Sequence, residues 1–432
     1  MNSRIGIHAD GRTFVRDGER WFYLADTAWS GVTNPTDDEW ERYLDLRAEQ
    51  GFTAVQINLL PQWDRSPSPL PVHPFAQAAD GSYDFARPAD DYFEAASRRL
   101  AAIAERGMVP AVVLLWCNYV PDTWASARRP QDIIPERALE RYLRLAIETA
   151  RPHGPVYLVS GDTDFQTERA TAYYAAGLRL AKQLDPQGLT TLHVKGSFHD
   201  VAPDLLAMRE LDFSTFQSGH GESTWHRAHE LARVFRAKMP PRPIVNAEPC
   251  YEGHGHGGGE GRYDARDVRQ AAWQGLLAGA NAGVTYGAHG VWGWHRPGLA
   301  FGSVGFSGMP YAWDEAIGFP GAEDYAYIRH LFERYGLAGL EPVETPALPD
   351  GVVAAVGPGT AGNGATPAAA VYLPYPMDIA LDDLPVDDAA ALRWQRVDLA
   401  RRAIESVRTV EIDGTEHLWK GRGTADALLI GS

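Results

Sequence analysis

The sequence predicts an α/β protein in which a (β/α)8 TIM barrel precedes a small C-terminal β-sandwich. Eight short apolar runs alternate with amphipathic helical stretches between about residues 20 and 295. Continuous apolar strands joined by helices are typical of a parallel sheet covered on both faces, and eight such units favour a closed barrel. After about residue 342 the pattern changes to short strand-like pieces with frequent turns, which is typical of a sandwich.

Each predicted barrel strand is a mostly apolar run of a length that suits a buried strand. The runs are residues 21–26, 54–60, 109–116, 156–159, 190–194, 212–217, 244–247 and 283–286. No Gly-x-Gly-x-x-Gly follows the first run, which disfavours a dinucleotide-binding fold.

Helix signals lie between these runs. Thr36 is placed to cap the first helix, Glu39 follows three residues later as its capping-box partner, and Gly51 ends the helix. Further helices are predicted over residues 91–105, 139–150, 170–183, 224–237, 265–280 and 322–336. Together they supply the crossovers that a parallel barrel requires.

The residue composition of the chain changes near Glu341, where we place the domain boundary. Residues 1–341 are predicted to form the barrel and residues 342–432 the sandwich. Proline, glycine and alanine dominate residues 344–370. Strand-like pieces follow at residues 368–373, 391–395, 407–412 and 427–430.

Composition excludes several classes of protein. A net charge of −16 disfavours nucleic acid or an anionic membrane surface as a partner. The sequence has no apolar run long enough to cross a bilayer. Its only two cysteines, Cys117 and Cys250, are far apart and are expected to be free thiols in a reducing compartment. Residues 1–10 lack the apolar segment of a secretory signal, so a cytoplasmic location is expected.

Two acidic residues end predicted strands. Asp162 follows the run 156–161, and Glu248 follows the run 243–247. Carboxylates at the C-terminal mouths of different barrel strands can face each other across a sugar, one as acid/base and the other as nucleophile or base. We therefore predict Asp162 and Glu248 as the catalytic pair of a glycosidase. Asp164 and Glu252 compete with them for these roles and are otherwise expected to bind sugar hydroxyls.

Tryptophans add a second signal, because the C–H faces of sugars stack on aromatic rings. Six tryptophans lie in or just after strand ends: Trp29, Trp63, Trp116, Trp124, Trp292 and Trp294. Trp116 and Trp292, beside polar neighbours, are the best candidates for stacking walls. The predicted substrate-binding residues are Asp26, Trp29, Asn58, Trp116, Asn118, Asp164, Gln217, His220, Glu252, Tyr286, His289 and Trp292.

Other chemistries are weaker. His254 and His256 form a His-x-His pair within a glycine-rich loop, which alone is a poor metal motif, and we expect neither a metal nor another cofactor. A metal-dependent amidohydrolase would carry His-x-His at its first strand, where this chain has Asp26 and Trp29. No Gly-x-Ser-x-Gly elbow supports a serine hydrolase. A sugar lyase or isomerase on the same barrel, and a non-catalytic carbohydrate-binding barrel, stay open as alternatives.

Several segments together resemble the apiosidase-like glycoside hydrolases, family 140 of that classification. The resemblance is carried by residues 23–29, 55–59, 159–162, 217–220, 244–252 and 283–292. The most specific segments are Glu-Pro-Cys-Tyr-Glu at 248–252 and Thr-Tyr-Gly at 285–287. The usual Gly-Gly-Asp of the fourth strand is altered here, because Ser160 replaces the first glycine.

The resemblance implies an exo-acting hydrolase that removes a terminal sugar from a plant-type oligosaccharide without a metal or organic cofactor. Its acid/base would correspond to Asp162 and its nucleophile to Glu248. A retaining mechanism is expected. A short imported glycoside, carrying an apiose-like pentose or a deoxyhexose, is the expected substrate.

Overall fold

The computed structural model describes residues 4–70, 72–256, 261–357, 367–386, 388–418 and 425–432. Eight parallel strands form the barrel, as predicted. They are β1 Tyr23–Thr27, β2 Ala54–Asn58, β3 Val109–Trp116, β4 Val156–Gly161, β5 Thr190–Thr191, β6 Ser214–Phe216, β7 Ile244–Asn246 and β8 Gly283–Tyr286.

The strands pair in the order β5-β4-β3-β2-β1-β8-β7-β6, which leaves β5 and β6 at a seam. Few backbone bonds cross this seam, among them that from the Asp212 N–H to the Thr190 carbonyl (3.1 Å). Side-chain hydroxyls reinforce it: Thr191 donates to the Phe213 carbonyl and Thr215 to the Leu192 carbonyl, each at 2.7 Å. Hydroxyl groups therefore help to close a barrel whose fifth and sixth strands are shorter than predicted.

Helices cover the outside of the barrel. They are α1 Asp37–Gln50, α2 Asp90–Glu105, α3 Glu136–Ala150, α4 Glu168–Leu184, α5 Pro203–Leu206, α6 Ala228–Arg236, α7 Ala265–Leu277 and α8 Gly321–Tyr335. The capping box of Thr36 and Glu39 is present, and Gly51 ends α1 in the left-handed conformation. Helix α6 begins later than predicted, because Trp225–Arg227 form a 3-10 turn. No helix among the described residues is long and apolar enough to cross a membrane.

Two small sheets were not predicted. Strands Gly6–Ile7, Phe14–Arg16 and Glu19–Trp21 form an N-terminal sheet. Its Phe14 is fully buried and packs edge-on against Phe213, 5.2 Å between ring centres, next to the start of β6. This sheet covers the end of the barrel opposite the strand mouths. Strands Phe75–Gln77 and Tyr83–Pro88 form a hairpin within the connection between β2 and α2.

The C-terminal region is the predicted β-sandwich. Its six-stranded antiparallel sheet consists, in spatial order, of Glu341–Val343, Val353–Val356, Ala369–Leu373, Ala427–Gly431, Trp394–Asp398 and Ala403–Ser406. A three-stranded sheet of Ile379–Ala380, Thr415–Leu418 and Thr409–Ile412 completes the sandwich. The predicted strand 391–395 begins only at Trp394, because Ala389–Ala391 form a 3-10 turn.

One face of the six-stranded sheet packs on the barrel. The ring of Tyr372 stacks on Trp273 of α7, with 6.3 Å between ring centres. Beside them, Arg269 of α7 forms a buried ion pair with Asp426 at 2.6 Å. The apolar core of the barrel therefore continues into the sandwich.

Asp26, which the sequence analysis assigned to substrate binding, is fully buried and lies outside the cavity at the strand ends. Its carboxylate accepts hydrogen bonds from Arg47 (2.6 Å) and from the Tyr43 hydroxyl (2.8 Å), both on α1. Both side chains of the Asp26–Arg47 pair are fully buried. Asp26 thus joins β1 to α1 and does not line the central cavity.

Replacing Asp26 by alanine is expected to lower the free energy of unfolding by about 3–5 kcal/mol, because it leaves the Arg47 charge buried without its partner. Urea unfolding followed by circular dichroism measures this loss. Asp84→Ala is the matched control: it breaks an exposed pair with Arg87 and should cost less than about 1 kcal/mol. Equal losses in the two variants would contradict the structural role of Asp26.

Candidate active site

A cavity of about 660 Å³ opens at the C-terminal ends of the barrel strands. Both predicted catalytic acids line it. The other predicted residues that line it are Trp29, Trp116, Gln217, His220 and Trp292. Sequence reasoning therefore identified the walls of one continuous site, built from segments that are distant along the chain.

Glu248 follows β7 and receives three side-chain donors. His220 Nε2 lies 3.0 Å and Gln217 Nε2 lies 2.7 Å from Oε1, while His193 Nε2 lies 3.2 Å from Oε2. Burial opposes ionisation of this carboxyl, but the bonds from His193 and His220 outweigh it and lower the pKa of Glu248 to about 2. Glu248 is therefore a carboxylate at neutral pH.

The surroundings of His220 fix which of its nitrogens carries a proton. Its Nδ1 accepts the backbone N–H of Tyr251 at 3.2 Å, so the proton of the neutral ring is on Nε2 and is donated to Glu248. His193 faces the other carboxylate oxygen with Nε2, which acts as a donor in the same way. Two imidazoles, from the segments that follow β5 and β6, thus bind Glu248.

Asp162 has the opposite environment. It adopts a left-handed backbone conformation, with φ of 53°, directly after β4, and it lines the cavity. Burial and the negative charges of Glu248 and Asp64 raise the pKa of Asp162 well above its usual value, against a smaller effect of Lys195. Asp162 therefore retains its proton where Glu248 has lost its own.

Gly161 allows the wall beside Asp162 to form. A Cβ at this position would lie 2.2 Å from an indole carbon of Trp116, so only glycine lets that ring pack against the strand. The preceding Ser160 donates its hydroxyl to the His193 carbonyl at 2.9 Å. The Ser-Gly-Asp segment thus joins β4 to the chain that carries one donor of Glu248.

Gly287 has the same function on the other side of the cavity. A Cβ there would lie 2.1 Å from the ring of Tyr251. The Tyr251 hydroxyl accepts the Nε1–H of Trp29 at 3.0 Å. Burial and the nearby charge of Glu248 raise the pKa of Tyr251 well above its usual value. Tyr251 is therefore a neutral hydroxyl beside Glu248.

Five of the six tryptophans singled out in the sequence line the cavity: Trp29, Trp63, Trp116, Trp124 and Trp292. Trp124 donates its Nε1–H to the Asp162 carbonyl at 2.8 Å, which places an indole beside the acid. Trp63 packs edge-on against Trp124, and the Arg128 guanidinium lies over both rings. The sixth, Trp294, is buried in the core and stacks on Trp313.

Three further predicted residues lie behind the cavity. Glu252 accepts the Tyr286 hydroxyl (2.6 Å) and the N–H of Gly321 (2.8 Å) at the start of α8. Burial raises the pKa of Glu252 to about 7. His289 accepts the Nε1–H of Trp292 at 3.0 Å. In this structure Glu252, Tyr286 and His289, which were predicted to bind sugar, make hydrogen bonds to neighbouring protein groups.

The remaining predicted residues lie one step from the cavity. Asn58 donates to Gln62 at 2.8 Å, and Asn118 donates to Asp132 at 3.0 Å. Asp164 pairs with Lys195 at 2.5 Å, and it is Lys195 that lines the cavity. These side chains orient their neighbours, and the cavity wall does not include them.

Sequence reasoning missed several polar residues of the site, among them His193, Lys195 and Asp64. His193 could have been found, because it is a polar residue inside a predicted strand. Lys195 follows two residues later. Asp64 lies in the connection after β2 and lines the cavity, and no pattern in its neighbourhood indicates it.

The two histidines of the His-x-His pair do not converge. His254 stacks on His220, with 4.2 Å between ring centres, and its Nδ1 contacts the Gly255 carbonyl at 2.7 Å. His256 packs against Tyr263. Within the described ranges, no three His, Cys, Asp or Glu side chains are grouped to hold a metal ion. Cys117 and Cys250 are free and buried.

Removing one donor of Glu248 is expected to raise the pKa of this carboxyl, because the ionised form loses a hydrogen bond. We expect His220→Ala to lower kcat/KM for an aryl glycoside by about 10- to 100-fold. NMR titration of ¹³C-labelled carboxyls, assigned with Glu248→Gln, measures the pKa. His8→Ala, at the opposite end of the barrel, is the control, and an unchanged Glu248 titration in His220→Ala would refute the prediction.

The charge of Glu248 should control the proton of Asp162. In Glu248→Gln the pKa of Asp162 is expected to fall, since a negative charge that opposes its ionisation is gone. The same titration, assigned with Asp162→Asn, follows this change. Glu230→Gln, which removes a charge from the outer helix α6, should leave Asp162 unaffected. A pKa of Asp162 that stays the same in both variants would disprove the coupling.

Comparisons with known proteins agree with this architecture. The sequence model of the apiosidase-like catalytic domain matches residues 8–338. A crystal structure described as a glycoside hydrolase family 5 protein from Bacteroides vulgatus has a TM-score of 0.77 at 21% identity and covers 99% of this chain and 93% of its own. A structure described as a glycoside hydrolase has a TM-score of 0.77 at 19% identity, covering 100% and 97%. No curated protein matches the chain.

The two structural matches establish the barrel fold. The sequence match goes further, because it spans most of the chain and includes both strand-end acids and their donors. The protein therefore belongs to the apiosidase-like family and is a glycosidase.

Proposed function

We propose that this glycosidase is exo-acting and retaining, and that it removes a terminal apiose-like pentose or deoxyhexose from a plant-derived oligosaccharide or glycoside. The observation that carries the proposal is the contrast between two carboxyl groups in one cavity. Glu248 is held ionised by N–H donors, and Asp162 is kept protonated by burial and by nearby negative charge. Such a pair supplies the nucleophile and the acid of a two-carboxylate mechanism.

In the first step, Glu248 attacks the anomeric carbon while Asp162 gives its proton to the departing glycosidic oxygen. The products are a glycosyl ester of Glu248 and the free leaving group. In the second step, Asp162, now ionised, takes a proton from water, and the water oxygen attacks the anomeric carbon. The ester bond breaks, Glu248 regains its charge, and the sugar leaves with its original anomeric configuration.

The cavity suits a sugar in size and chemistry. Its volume of about 660 Å³ falls within the range of about 300–1,000 Å³ that small-molecule sites occupy. Trp29, Trp116 and Trp292 offer apolar faces, while Gln217 and His220 present polar groups beside Glu248. A pocket of this size supports removal of one terminal sugar.

A screen of aryl pentosides and deoxyhexosides, including an apiofuranoside, is expected to find at least one substrate for the wild type. Turnover in ¹⁸O-water should place solvent oxygen in the released sugar, which separates hydrolysis from a lyase or isomerase reaction. Asp162→Asn and Glu248→Gln should each lose at least about 10³-fold in kcat, since each removes a group that acts in the transition state. A wild type inactive on all such glycosides, with undiminished binding, would favour the non-catalytic reading.

The stereochemistry tests the assigned roles. NMR of the first-formed product should show a retained anomer. With azide and an activated aryl glycoside, Asp162→Ala should give a glycosyl azide of retained configuration, because the ester on Glu248 still forms. Glu248→Ala should give the inverted azide. An inverted product from the wild type would overturn the retaining mechanism and make Glu248 the base that activates water.

A further inference from the structure

Asp64 is held in the cavity by a short chain of amides. Asn58, the last residue of β2, donates to Gln62 Oε1 at 2.8 Å, and Gln62 Nε2 donates to Asp64 Oδ1 at 2.8 Å. Both Gln62 and Asp64 line the cavity. Asn58 at the end of β2 thus orients the carboxyl group of Asp64, which lies in the connection that follows β2.

Charged and titratable groups surround Asp64 from several elements. Glu248 after β7 and Asp162 after β4 are close enough for charge repulsion, and Arg128 at the cavity rim is close enough for attraction. Burial raises the pKa of the Cys117 thiol, after β3, and the charges of Asp162 and Asp64 raise it further. Asp64 is therefore a third acid in the cavity, and its charge interacts with those of Asp162 and Glu248.

We propose that Asp64 is a substrate-binding residue, whose carboxylate accepts a hydroxyl group of the bound sugar in the cavity that Asp162 and Glu248 also line. This inference rests on the proposed function, because it assigns Asp64 a part in that site. Asn58, which was predicted to bind the substrate, lies outside the cavity wall. In this proposal it acts indirectly, because it orients Asp64 through Gln62.

Three other acidic residues at this end of the barrel illustrate how a carboxyl group with a structural role is bound. Asp26 is bound by Arg47, Asp164 by Lys195, and Glu252 by Tyr286 and a helix N–H. The neutral amide of Gln62 is a much weaker partner than a cation. Asp64 accepts its side-chain hydrogen bond from this neutral amide and lines the cavity together with two other acids, and a role toward the substrate accounts for that position.

The pH dependence follows from the position of Asp64. Burial raises the pKa of Asp64 to about 6, and the charge of Glu248 adds a smaller increase; the hydrogen bonds from Gln62 and from the backbone and the charge of Arg128 oppose the rise. As the pH rises through 6, Asp64 loses its proton, becomes a better acceptor for a sugar hydroxyl, and raises the pKa of Asp162. The wild-type kcat/KM should therefore rise through an acid limb near pH 6 and fall at higher pH when Asp162 ionises.

The test compares Asp64→Asn with Asp200→Asn on the aryl glycoside that the wild type turns over best. Both changes convert an aspartate to asparagine, but Asp200 is exposed in the connection after β5 and does not line the cavity. In Asp64→Asn we expect kcat/KM to fall by about 10- to 100-fold, mainly through KM. Both limbs of its pH profile should move to lower pH. Asp200→Asn should match the wild type in both respects.

A second variant distinguishes the loss of the Asp64 charge from a structural effect of the substitution. Asp64→Glu keeps the charge but moves it by one methylene, so it should keep the wild-type pH limbs while KM rises. Thermal unfolding of all variants identifies any that fail to fold. An active wild type with unchanged pH limbs and KM in a folded Asp64→Asn would overturn the inference and leave the proposed function intact. Loss of the proposed function itself would instead show as a wild type without glycosidase turnover.

Discussion

The negative charge on Glu248 is the interaction on which the rest of the site depends. Donors from His193, Gln217 and His220 stabilise it, and they lie in the segments that follow β5 and β6, the two strands at the seam of the barrel. That charge in turn favours the protonated form of Asp162. The protonation states of the two carboxyl groups therefore depend on one another, and the barrel brings both groups and the donors of Glu248 to one cavity.

A layer of side chains behind the wall makes this arrangement rigid. His289 holds Trp292, the Tyr251 hydroxyl holds Trp29, and the Asp162 carbonyl holds Trp124. In each case a buried indole N–H is satisfied by a neighbour, which fixes the ring that faces the cavity. His289 and Tyr251 thus contribute to the cavity by orienting an indole ring.

Local patterns made much of the fold predictable. Apolar runs and the cap at Thr36 depend on neighbours in sequence, and strand ends must meet at one mouth of a parallel barrel, so Asp162 and Glu248 were found. The direction of a side chain is harder, because β1 is buried on both faces and no alternation shows that Asp26 turns toward Arg47. Asp64 lies in an irregular connection, and its place is set by the contacts of Gln62, which have no local signal.

The conformation of Asp162 has an evolutionary consequence. A non-glycine residue with a φ of 53°, carrying a buried acid beside two others, is strained in its backbone and repelled through its side chain. Glycine would relieve both effects and asparagine the repulsion, and either would remove the proton that we propose Asp162 donates. Selection for stability alone would therefore favour replacement of Asp162, whereas selection for the proposed reaction would retain it at the expense of stability.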